Sequence, residues 1–180
     1  AQMLGRGGSH RPKSRGAPRY QRYEDQRHKV YRSDVVEQLG DEDLLPAIFF
    51  IFSRKGCDQA VSQVLRRGVT LTEEYERDQI LDLVEERCDR LDDDDRNVLG
   101  YHEWLDGILR GVAAHHAGML PMFKEVVEEL FRRKLLKVVF ATETLALGIN
   151  MPARTVVLEK LDKFNGEARV PITAGEYTQL

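Results

Sequence analysis

Apolar and polar positions along this chain switch between two periods. "PAIFFIFS" (46–53) is a short apolar, aromatic and β-branched run of buried-strand length. Ser53 ends it as an N-cap, and Cys57, Ala60, Val61, Val64 and Leu65 then recur at helical spacing. Gly68 stands where a helix C-terminus favours glycine. Next, Thr70 and Glu73 suggest a capping box, and Leu81, Val84, Cys88 and Leu91 mark an apolar stripe on a second helix. A short helix through "YHEWLDGILR" comes after it. "GVAAHH" is then strand-like and "AGML" a turn. Pro121 opens a helix with Phe123, Val126, Val127, Leu130 and Phe131 on one face. Arg132, Arg133 and Lys134 close it with the charge that a helix C-terminus favours. "KVVFA" and "TVVLE" are two more buried-type strands. Strands with near-continuous apolar runs, alternating with helices, predict an α/β fold whose parallel sheet carries helices on both faces.

Charge changes this picture in two places. Residues 1–32 hold nine Lys or Arg against Glu24 and Asp25, so the rest of a chain with net charge −3 is strongly acidic. This basic stretch is rich in Gly, Pro, Ser and Arg and poor in aliphatic residues, which predicts a flexible arm or linker over 1–32. It reads either as a phosphate-contacting arm or as a soluble tether. Residues 73–95 hold twelve Asp or Glu against three Arg. The helical stretch 69–110 that contains them reads as an acidic insertion in the α/β layout. The 42% hydrophobic composition is enough for one packed domain over 33–180. No run approaches a membrane span, and the first residues carry no apolar secretory signal. Cys57 and Cys88 are isolated thiols, which predicts a reduced, cytoplasmic protein.

The chemistry concentrates after strand 137–141, where Thr142, Glu143, Thr144, Gly148, Asn150 and Pro152 crowd one turn. In open parallel sheets, ligands sit outside the carboxyl ends of the strands. A helix starting near Thr142 aims free N–H groups outward, suited to a phosphate. The alternative is that Thr142 only caps this helix and Gly148 ends it. Arg54 and Lys55 occupy a first helical turn where the dipole disfavours cations, so they face either an anion or solvent. His115 and His116 invite a metal reading, but adjacent strand residues point to opposite faces and no third ligand stands at metal spacing. "DDDD" (92–95) lacks the frame of a calcium loop and reads as a solvated helix end. No metal site is expected.

In order, "AIFFIFSRKGCDQAV", "GVAAHHAGMLPMFKEVVEELF", "VVFATETLALGINMPARTVV" and "ITAGEYTQL" resemble the second RecA-like domain of superfamily 2 DExH RNA helicases. The resemblance runs from about Ala47 to Leu180. It is nearest to the superkiller and exosome-associated branch, in its actinobacterial HelY-type form, whose insertion the acidic stretch also resembles. It implies a RecA-like fold and a fragment of an ATP-dependent helicase. By this resemblance, Ser53 and Arg54 stand in a motif along the nucleic-acid strand, and His116 and Gly118 belong to an "HHAG" turn on the same path. Thr142 would bond the sugar–phosphate backbone, and Gly148 and Asn150 would face the nucleotide cleft. Glu143 and Thr144 would hold the motif in shape. The implied partners are single-stranded RNA or DNA and the first RecA-like domain, which would bind most of the ATP and Mg²⁺.

Neither a G-x-x-x-x-G-K-[ST] loop nor an Asp-Glu-x-His box occurs here, and "DEDL" (41–44) precedes a strand where such a box would follow one. The sequence also stops before the arginine-bearing sixth motif would begin. Loss of an arginine finger alone costs about 10³–10⁵ in rate. No catalytic residue is therefore expected within 1–180, and the fragment alone is expected to be inert. A competing reading makes the chain a non-catalytic module whose acidic helices recruit a basic protein.

Overall fold

The computed structural model describes residues 30–145, 151–159, 162–164 and 168–177. The basic stretch 1–29, and with it most of the expected arm, lies outside them. Four strands, β1 (Ala47–Phe50), β2 (Val112–His115), β3 (Val138–Ala141) and β4 (Thr155–Leu158), form one sheet in the order β2–β3–β1–β4. Every pairing in it is parallel, as the strand–helix alternation predicts. Register sets the carboxyl ends flush: Phe50 pairs with Ala141 and with Leu158, and Ala141 with His115. Neighbouring strands lie about 4.8 Å apart. The segments leaving β2, β3 and β1 therefore emerge side by side.

Both faces of β1, β2 and β3 are covered, so every residue in them is buried and nearly all are apolar; β4, at the edge, is more open. Ala47, Phe49, Val112, Val138 and Phe140 face one side, against α1 (Arg32–Asp41) and α2 (Arg54–Arg66). Ile48, Phe50, Ala113, Val139 and Ala141 face the other, with α3 (Glu74–Cys88), α5 (Tyr101–Leu109) and α6 (Pro121–Arg132). Phe49, Phe50, Phe131 and Phe140 are fully buried, and each such side chain contributes about 1.5–3 kcal/mol of transfer free energy. Trp104 of α5 stacks on Phe123 of α6, centroids 4.2 Å apart, which joins the acidic stretch to the next helix. A two-stranded antiparallel ribbon, β5 (Asp162–Phe164) and β6 (Arg169–Pro171), and a short α7 (Ala174–Tyr177) come last.

One helix is added to the elements read from the pattern, and two details of α3 shift. Residues 32–41, whose pattern predicts no element, form α1, and Arg32 at its start ion-pairs with Glu159 just after β4. The α3 capping box uses Glu73 and Glu76, not Thr70 and Glu73. Thr72 instead donates to the Leu109 carbonyl at 2.6 Å, and Thr70 accepts from Arg110. The buried stripe of α3 is Ile80, Leu83, Val84 and Cys88; Leu81 is 36% exposed and Leu91 lies past the helix. The "DDDD" run is a solvated helix end, as expected: Asp92 caps α4 (Asp93–Val98) by accepting from the Asp95 N–H at 2.8 Å. Glu76 is nearly buried, accepting both from the Glu73 N–H at 2.9 Å and from Lys137 Nζ at 2.5 Å. Acidic α3 is thus one wall of the core, with its outer face solvated, whereas α4 buries no residue.

Candidate nucleic-acid interface

Ser53, extended at φ −158°, stands between β1 and α2, and its Oγ accepts the Gly56 N–H at 3.1 Å. A cap of this kind is worth about 1 kcal/mol and uses the acceptor side of the hydroxyl. Gly56 is required by close approach: a Cβ there would lie 2.8 Å from the Ile51 methyl carbon Cγ2. The first turn of α2 has no acidic residue, and Arg54 and Lys55 are both exposed in it. Two cations therefore stand at the positive end of a helix dipole, an arrangement that a nearby anion would stabilise.

At the neighbouring β2 exit, His116 points back towards α2. Its Nδ1 accepts the Gly118 N–H at 3.2 Å, so the ring proton sits on Nε2, which donates to Asp58 Oδ1 at 2.9 Å. A Cβ on Gly118 would be 3.2 Å from His116 Nδ1 and 3.4 Å from Arg54 Cδ. Arg54, His116 and Gly118 thus come together, and Asp58 completes the group. Pattern reading passed over Asp58; its signal was a position one helical turn after Arg54.

His115 faces the opposite layer. Its Nε2 lies 2.7 Å from Glu128 Oε1 on α6, and burial holds its pKa below the ordinary histidine value despite that carboxylate. Nδ1 of His115 is one of three buried side-chain N or O atoms without a partner among the described residues. The two imidazoles diverge, as expected for neighbours at the end of a strand.

At the β3 exit, Thr142 is 8% exposed, and its N–H extends the ladder to the His115 carbonyl at 3.2 Å. Its hydroxyl lies 3.0 Å from that of Thr144, which ties the turn together as expected for Thr144. The chain then enters a 3-10 turn, Glu143–Leu145, where a helix is expected to start near Thr142; the Thr142 carbonyl accepts the Leu145 N–H at 3.1 Å, and residues 146–150 lie outside the described residues. Gly148 and Asn150, the two residues assigned to the nucleotide cleft, lie outside the described residues.

Three strand exits therefore present, side by side, a hydroxyl turn, a glycine turn braced by histidine, and a cationic helix start. No family model matches the chain. Curated relatives do. The probable helicase HelY of Mycobacterium tuberculosis is 63% identical over 149 residues, covering 83% of this chain and 16% of that protein. The Mycobacterium leprae protein of the same description is 62% identical over 158 residues, covering 86% of this chain and 17% of the relative. The chain belongs to the HelY-type DExH helicases. Similarity extends to the antiviral helicase SKI2 of Saccharomyces cerevisiae, 36% identical over 147 residues and covering 82% of this chain and 11% of that protein. The HelY-type segment spans about one sixth of the mycobacterial relatives. Among its described residues, no helix is long and apolar enough to cross a membrane.

Proposed function

We propose that residues 33–180 are part of the second RecA-like domain of an ATP-dependent helicase, and that the carboxyl edge of the sheet grips one nucleic-acid strand by its backbone. The observation that carries this is the flush register of β1, β2 and β3, which brings Arg54, Gly118 and Thr142 to one edge. Arg54 supplies charge, the 116–118 turn supplies a glycine backbone that a strand can approach, and Thr142 supplies a hydroxyl. Ser53 serves mainly by fixing the start of α2. Phosphate and sugar contacts carry no base information, so binding is sequence-independent. The strand is single-stranded RNA or DNA, and the partner domain is the first RecA-like domain of the same protein.

ATP and Mg²⁺ belong to the cleft between those two domains. Among the described residues no group of three or more His, Cys, Asp or Glu could hold a metal, and Gly148 and Asn150 are not among them. The described residues thus give no fit for the ion. The chain's own part is to hold the strand while the domains close and open. Buried thiols at Cys57 and Cys88 suit a reducing, cytoplasmic setting.

The test is nucleic-acid-stimulated ATPase of the full-length protein, wild type against Thr142→Ala. A large loss of stimulation with ATP binding retained supports the grip. Unchanged stimulation would make the turn architecture and remove the reading. For residues 1–32, a salt titration of the truncated protein decides: each phosphate that the arm neutralises on a single strand adds about 0.7 to the log–log slope. An unchanged slope after truncation makes the arm a tether.

A further inference from the structure

Asp58 is out of place by charge. It lies one helical turn beyond Arg54, on a helix start where the proposed grip needs positive potential, and its side chain is 60% exposed. A carboxylate 4 Å from a phosphate costs about 1 kcal/mol even in water. Yet one of its oxygens is committed to His116 Nε2 at 2.9 Å, and the His116 side chain is only 7% exposed. The other ring nitrogen accepts the Gly118 N–H at 3.2 Å. That second bond exists in only one neutral tautomer, because a proton on Nδ1 would oppose the Gly118 N–H, donor against donor. A carboxylate on Nε2–H selects that tautomer and holds the ring plane, as outer-shell carboxylates do for functional histidines.

We propose that Asp58 is a positioning residue for the strand-contacting turn. Its carboxylate holds His116 in the Nε2–H tautomer, and His116 Nδ1 then fastens the Gly118 amide beside Arg54. The role rests on the nucleic-acid reading above and deepens it: Asp58 touches no strand itself and acts through His116. It accounts for the placement of Gly118, an exposed turn residue, where an added Cβ would stand 3.4 Å from Arg54 Cδ. The same device links α2 to β2 across the face that carries Phe49 and Phe140.

The experiment measures the affinity of the full-length protein for a single-stranded oligouridylate at fixed salt, with melting curves to show that each variant is folded. Asp58→Ala is expected to weaken binding about five- to tenfold, the equivalent of one net hydrogen bond. Asp58→Asn keeps the acceptor, removes the charge and is expected to bind as tightly as wild type or more so. Placing Asp58→Ala on a His116→Ala background is expected to add no further loss, which is the signature of action through His116. Asp58→Ala binding as tightly as wild type or tighter, while Arg54→Ala weakens it, overturns the positioning role. An equal second loss on the His116→Ala background overturns it too. If Arg54→Ala and Asp58→Ala both bind like wild type, the nucleic-acid reading itself fails and the positioning role with it.

Discussion

His115 and His116 are neighbours in the chain with opposite surroundings. His115 closes β2, faces the layer of α6, and hands Nε2 to the half-buried Glu128 while its Nδ1 finds no partner among the described residues. His116 lies just past the strand, faces the layer of α2, and has both ring nitrogens bonded, one to an exposed carboxylate and one to a turn amide. One is a core tie between sheet and helix; the other is a brace for a surface turn. The difference shows that residue type and spacing do not sort a core histidine from one that braces a surface turn. The partner and its exposure do.

Removing each ring in turn tests that division. His115→Ala opens a cavity and strands the Glu128 carboxylate, so a loss of about 1–3 kcal/mol is expected by urea denaturation. His116→Ala releases an exposed carboxylate and the amide of an exposed turn, both open to water, and is expected to cost less stability than His115→Ala while weakening strand binding. A larger stability loss at 116 than at 115 would break the comparison.

Acidity separates the pair further. Burial lowers the pKa of His115 in the fold from its ordinary 6.5, so between the two values the unfolded chain binds more protons. Its contribution is complete above pH 6.5 and is lost as pH falls through that value towards the lowered one. Thermal melts from about pH 7.5 to 5 should therefore fall more steeply for wild type than for His115→Gln. Equal slopes would show that the buried ring does not titrate as the geometry requires.

A smaller effect checks the α2 side. Cys57, beside Asp58, is wholly buried, and that burial pushes its thiol up to about 12. It is expected to stay silent towards a thiol reagent at about pH 8 in both wild type and His116→Ala, and to react once denatured. Rapid labelling in the folded variant would mean that His116 supports the helix as well as the turn.

Much of this was legible in the chain. Apolar runs too continuous for a one-sided sheet implied β1 to β4, and the Ser53 cap and Pro121 start marked α2 and α6. Less legible was α1, which buries only Ser33, Val36 and Leu39 and leaves a weak stripe. The face of α3 was misjudged because Leu81 is apolar yet turns outward. Ile80 and Val84 are the residues that reach the core, and periodicity cannot choose between adjacent stripes in a helix this acidic.

The sequence by itself determined the family, through long motifs, and the parallel α/β layout, through where water must be excluded. Hydrophobic burial is a property of local pattern, so pattern can report it. Tertiary structure alone decided which helix each histidine meets, that Asp58 reaches His116 across 58 positions of chain, and that three strand ends stand flush. Those are hydrogen bonds between groups remote in sequence, set by register and helix placement, and no local period encodes them.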